Sequence, residues 1–174
     1  MKRILKDFQL FDVSKKHSLR ELFAKHFKSL GGELPIKGGW GYSKEDAIII
    51  DCNDEVVEKG IPFDGIGLEH LIVKKRLLEE LIIFKSDEDK TSFSNIQHKV
   101  VKQSLLFEDN NRIIDHLVVE GTCFLHHEWL ELNDEMFSGE DDFDLEAHFE
   151  KEDKLIFYFT SEYFFDITSF YGKY

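Results

Sequence analysis

Two runs dominated by Val, Ile, Leu and Phe, residues 96–107 (IQHKVVKQSLLF) and 113–125 (IIDHLVVEGTCFL), are separated only by EDNNR. So short a polar connection suits a β-hairpin, which commits the chain to an antiparallel sheet. Asn110-Asn111 is a weaker turn pair than Asn-Gly, so the expectation rests on the flanking runs. Further strands are expected nearby. KLIFYFTSEYFFDITSFYG near the end reads as two aromatic strands joined near Thr160 to Glu162, and Phe8 to Val13 alternates weakly. In GGWGYSKEDAIIID, Ala47, Ile48, Ile49 and Ile50 form a short apolar run of buried-strand type.

Helical periods alternate with these strands. Ser18 and Glu21 fit the Ser-x-x-Glu capping box, and Leu19, Leu22, Phe23, Phe27 and Leu30 follow at helical spacing until Gly31 and Gly32. Leu68, Leu71, Ile72, Leu78, Leu81 and Ile82 make a second stripe, with Lys74, Lys75, Arg76, Glu79 and Glu80 between them. His127 to Phe137 and Leu145 to Glu152 are two shorter amphipathic candidates, and SDEDKTS (86–92) reads as a solvated loop. No repeat or linker divides the 174 residues, 42% of them hydrophobic, with seventeen phenylalanines among them. The expected fold is a single α+β domain, 1–174, with an antiparallel sheet packed by a few helices.

Charge narrows the function. Of the net −13, −11 falls between Glu128 and Asp153, where twelve acids face one base, Lys151. Nucleic acid and anionic membranes are poor partners for such a chain, because phosphate binding needs clustered Lys and Arg. No window has the apolar length of a spanning helix, and Asp7 and Gln9 interrupt the basic start, so a cytoplasmic location is expected. Cys52 and Cys123 form no CxxC pair and read as buried thiols.

Catalytic signatures are weak. His126-His127 cannot both face one ion from adjacent helical positions, the HExxH spacing is absent, and His148 lies further along. The alternating acids from Glu140 put Leu145 and Lys151 where a calcium-binding EF-hand needs Gly and Glu. GxSxG and SxxK are absent. The glycines around Trp40 suit a phosphate loop, but a strand follows them where that loop needs a helix. No cofactor, metal or catalytic residue is expected.

The acidic segment has two readings, a solvated face or a docking surface that steers a basic partner. On the second, the candidate contact residues are Glu128, Glu131, Asp134, Glu135, Glu140, Asp141, Asp142 and Asp144, with Trp129 as an apolar anchor and Phe137 and Phe143 beside it. Trp40 belongs to the same candidate set if it is exposed, and to the core if the glycines fold it back.

LPIKGGWGYSKEDAIIID (34–51) and EYFFDITSFYG (162–172), in a short acidic α+β chain, resemble bacterial immunity proteins of polymorphic or contact-dependent toxin systems. The resemblance implies stoichiometric inhibition of a cognate toxin, often a nuclease, inside the producing cell, and transfers no site residue. A non-enzymatic inhibitor of a basic protein toxin is therefore the leading expectation. The alternatives are a small hydrolase or metal-dependent enzyme using His and carboxylates, and a structural interaction module whose acids only solvate it.

Overall fold

The computed structural model describes residues 2–30, 33–85, 91–137 and 143–173. In chain order the elements are β1 (Arg3–Ile4), α1 (Phe11–Ser14), α2 (Leu19–His26), a 3-10 turn (Lys28–Leu30), β2 (Ile36–Gly38), β3 (Ile48–Ile50) and α3 (Gly65–Leu78). A π-helical turn (Glu79–Ile83), β4 (Phe93–Phe107), β5 (Ile113–Leu125), α4 (His126–Phe137), α5 (Leu145–Leu155) and β6 (Phe157–Asp166) complete it. The strands form a mixed sheet in the order β2-β3-β6-β5-β4, with β1 also paired to β6. This is the α+β architecture expected. β2 and β3 pair antiparallel, as do the hairpin strands β4 and β5, whose turn is closed where Glu108 N–H donates to Arg112 C=O at 2.9 Å. Both β1 and β3 run parallel to β6.

The chain divides into two compact units. One comprises Met1–Gln9, Arg76–Lys99 and Glu120–Thr160, the other Leu10–Lys75, Val100–Val119 and Ser161–Tyr174. In the first, Phe8 packs edge-on against Phe159 at 5.4 Å and Phe93 against Phe157 at 5.7 Å. Gly121 is required there, since a Cβ would stand 2.5 Å from the Gln97 carbonyl oxygen and 2.3 Å from the Phe159 ring. In the second, Ile36, Ile48 and Ile50 are essentially fully buried, as are Tyr163 and Phe165.

Several local expectations are met for identifiable reasons. Ser18 Oγ accepts from the Glu21 N–H and the Glu21 carboxylate accepts from the Ser18 N–H, so α2 begins on the capping box its sequence spells. Leu19, Leu22 and Phe23 then face inward. Asp64 starts α3 by accepting from the Gly67 N–H at 2.8 Å. α2 ends earlier than expected, at His26, where the Phe27 N–H donates to the Phe23 carbonyl and Lys28–Leu30 follows as a 3-10 turn; Gly31-Gly32 and most of the 86–92 loop lie outside the described residues.

Three expectations are corrected. Phe8 to Val13 is not a strand: Asp7 adopts φ 55°, and Phe11–Ser14 is a turn of helix. The closing aromatic segment is one strand, β6, rather than two. Thr160 and Glu162 are simply its outward positions between buried Phe159, Ser161 and Tyr163. The largest correction concerns α3 and its π turn, where Arg76, Glu79 and Glu80, expected between the apolar residues of the stripe, are themselves buried, together with Glu69. Glu69, Arg76, Glu79 and Glu80 are at most 1% exposed, whereas Ile82 is 38% exposed. Glu69, Ile72, Val73 and Arg76 recur at i, i+3, i+4 and i+7, a helical face in its own right. Beyond Leu78 the π turn, with Phe84 N–H reaching Glu79 C=O at 3.0 Å, rotates the register and turns Ile82 and Ile83 outward.

Candidate functional site

Trp40 illustrates how local chemistry decides a role. Its indole N–H donates to the His17 carbonyl at 2.9 Å, and the side chain is 2% exposed. Trp40 is thus a core residue, correcting its candidacy as a contact residue. The glycine turn around it holds an anion of the chain's own. Asp46 accepts from the Trp40 N–H at 3.0 Å, and a Cβ on Gly39 would meet the Asp46 carboxylate at 2.0 Å. The space a phosphate loop offers its ligand is filled by that carboxylate.

The acidic segment forms α4 and α5, and its carboxylates are not equivalent. Glu128 accepts from Arg3 Nη1 at 2.7 Å and is only 16% exposed. Glu135 is ion-paired with Lys151 and lies 4.0 Å from His148 Nδ1. These two candidate contacts are therefore partly neutralised within the chain, a correction to their role as open charges. Asp144 caps α5 by accepting from the Ala147 N–H at 3.0 Å. Glu131 and Asp134 are exposed, and no described cation pairs with either. Glu140, Asp141 and Asp142 lie outside the described residues.

Apolar side chains share that outer surface. Leu132 is the buried residue of α4, and Trp129 leans half-buried on Phe124 with ring centroids 5.1 Å apart. On the opposite side Leu130, Asp134 and Phe137 stand at i, i+4 and i+7 with Glu131 beside them, and Phe137 is 78% exposed. Leu145 and Phe149, at i and i+4 of α5, are each at least half exposed. Monomeric surfaces tolerate scattered apolar residues, and here large ones recur on the exposed faces of two consecutive helices. The amphipathic pattern expected of residues 127–137 is revised accordingly. Met136 is 49% exposed, and the outer face mixes acids with large apolar groups.

The histidines stay apart from any cluster. His126 Nδ1 meets Ser94 Oγ at 2.6 Å, while His148 is buried against Phe143 with ring centroids 5.2 Å apart. Among the described residues no three His, Cys, Asp or Glu side chains are grouped to hold a metal ion. Cys123 is fully buried, and burial pushes its thiol up to about 12, far from an activated nucleophile. Cys52 is half-buried, its thiol donating to the Ser169 carbonyl at 3.1 Å.

A second feature has no counterpart in the expectations. Glu69 of α3 and Asp115 of β5 line a cleft of about 430 Å³. Glu69 is 1% exposed, and neither of its carboxylate oxygens receives a hydrogen bond. Asp115 Oδ1 also lacks a donor, while Oδ2 accepts from the amide of exposed Gln103 at 2.5 Å. Burial, then the Asp115 charge, then a hydrogen bond to Asp115 push Glu69 up to about 8, so near neutral pH a proton sits on Glu69 facing the Asp115 carboxylate. Burial also raises Asp115, against the opposing pull of Gln103, Glu69, His116 and His70. Apolar Ile66, Leu105, Phe170 and Tyr171 complete the walls. The sequence did carry one signal, since Glu69 stands at i−3 to Ile72 within the apolar stripe. Asp115 of the hairpin gave none.

Comparison with known protein families, characterised proteins and solved structures finds no match.

Proposed function

We propose that the outer face of α4 and α5 is a docking surface for a basic protein, and that the chain acts as a stoichiometric, non-catalytic inhibitor of the immunity type. The carrying observation is the side-by-side exposure of Glu131 and Asp134 with Leu130 and Phe137 on the α4 face opposite Leu132. Acids without partners supply attraction at a distance and raise the association rate. Exposed Leu and aromatic side chains supply area to bury once contact is made. A purely solvating face needs only the first of these. The resemblance of residues 34–51 and 162–172 to immunity proteins supports a toxin as the occupant, and charge complementarity supports a basic one.

The test takes as probe whatever protein a gene flanking this chain's own encodes, with an unrelated basic protein as control. The expected result is a one-to-one complex whose association slows as salt rises, together with loss of the toxin's activity. Glu131→Gln with Asp134→Asn should slow association, and Leu130→Ser with Phe137→Ser should speed dissociation. Equal binding by the control protein, or unchanged rates in both double variants, overturns the reading.

A further inference from the structure

We propose that the cleft lined by Glu69, Asp115 and Gln103 is a binding site for a monovalent organic cation, an alkylguanidinium or alkylammonium, with its apolar part against Ile66, Leu105, Phe170 and Tyr171. The site stands independently of the docking reading and uses none of its residues. Apart from the proton that Glu69 shares with Asp115, no described group donates to three of the four Glu69 and Asp115 oxygens, and buried carboxylates so poorly served are costly unless something donates to them. The fourth already takes a donor, the Gln103 amide, whose exposed side chain covers Asp115. An N–H-rich cation offers the same contact with a full charge and several donors. It displaces the Gln103 amide, takes the bridging position now held by the Glu69 proton, and that proton leaves to solvent.

The residues present select among cations. Two carboxyls and one amide fall short of the six to eight oxygens that calcium collects, and magnesium demands a near-octahedral shell. A planar guanidinium matches paired carboxylate oxygens directly, and an ammonium does so with three donors. A cleft of about 430 Å³ is within the range that takes a small organic molecule. Its aliphatic and aromatic walls suit a ligand with a hydrocarbon body rather than a bare ion.

The experiment is calorimetric titration of the full chain near neutral pH with n-butylguanidinium, n-butylammonium and the uncharged isostere n-butylurea, in two buffers of different ionisation heat. Expected are binding of at least one of the cations, no binding of the urea, and net release of up to one proton per site. Glu69→Gln and Asp115→Asn should each weaken cation binding by about tenfold or more. Folding of each variant is checked by circular dichroism and melting temperature. N-acetyl-arginine methylamide serves as a further arm: tighter binding than butylguanidinium points to an arginine side chain as the natural ligand, weaker binding to a free metabolite, and either upholds the site. Equal binding of the urea, undiminished cation binding by a folded Glu69→Gln variant, or no heat with either cation at millimolar concentration overturns it.

Discussion

The charged face of α3 and the charged face of α4 invert the usual allocation of residues. On α3 and its π turn, Glu69, Arg76, Glu79 and Glu80 are buried, and on α4 Leu130, Met136 and Phe137 are exposed. A buried ion is tolerated only where its environment compensates it or its protonation state changes. Both solutions occur on the inner face: Arg76 and Glu80 pair at 2.6 Å with neither side chain exposed, while Glu69 holds a proton. An exposed apolar group is tolerated more cheaply, but a row of them is retained where something covers it. The inner charges therefore concern stability and the cleft, and on the proposed reading the outer acids concern encounter. Each half of that contrast makes separate demands on experiment.

The largest expected effect comes from breaking the inner pair. Arg76→Met leaves Glu80 buried beside an apolar group, and the expected loss is about 3–5 kcal/mol in urea denaturation. A single variant as stable as the parent would remove the distinction between the two faces.

Next in size is the pH response of Glu69. Its folded value of about 8 lies above the ordinary 4.5, so between these values the folded chain keeps a proton that the unfolded chain releases. The contribution is whole below about pH 4.5 and drains away as pH rises through about 8. Glu69→Gln removes most of this dependence and should be the more stable form at alkaline pH, by roughly 1.4 kcal/mol for each tenfold difference in proton affinity between the folded and unfolded chain. Asp115, raised in the same direction, leaves a residual slope of the same sign. Melting curves across that interval decide the matter; parallel curves for parent and variant contradict the proton assignment. The cost also bears on the cleft, since a carboxyl pair that weakens the fold is the kind of local inconsistency that functional sites retain.

Smaller effects belong to helix ends. Ser18→Ala removes the α2 cap and should cost about 1 kcal/mol, as should Asp144→Ala at α5. The second also tests the acidic segment, because it separates Asp144's structural service from any partner contact. Stability lost without change in partner affinity assigns Asp144 to capping alone.

How much of this was legible in the sequence follows from the range of the interactions involved. The α2 cap, the α4 boundaries and the hairpin depend on neighbours within a few positions, and each was read from residues such as Ser18 and Glu21. Trp40 was ambiguous because its glycines permit both orientations, and the decision rests on Asp46 and the His17 carbonyl. Glu128 read as free because its partner, Arg3, stands 125 positions earlier. Arg76, Glu79 and Glu80 were misplaced by the assumption that charge faces water, although Glu69, Ile72, Val73 and Arg76 kept a helical period. The carboxyl pair was invisible for a similar reason. Glu69 is one of thirty-five acids, and only the packing of α3 on the hairpin singles out Asp115 as its neighbour.

The smallest expected effect on stability is also the sharpest on function. Glu131→Gln with Asp134→Asn alters two exposed side chains that no described cation pairs, so stability should change by less than about 0.5 kcal/mol. Association with the basic partner should nevertheless slow, most strongly at low salt, because steering depends on net charge at the approaching face. Arg3→Gln supplies the opposite arm: freeing Glu128 adds negative charge to the same helix, and association should quicken even as the lost ion pair weakens the fold. Opposite changes in rate from these two variants, uncorrelated with their melting temperatures, separate the outer acids from the inner ones. If both variants instead bind in proportion to their stability, the acids on α4 act through the fold, and the contrast between the two faces reduces to burial alone.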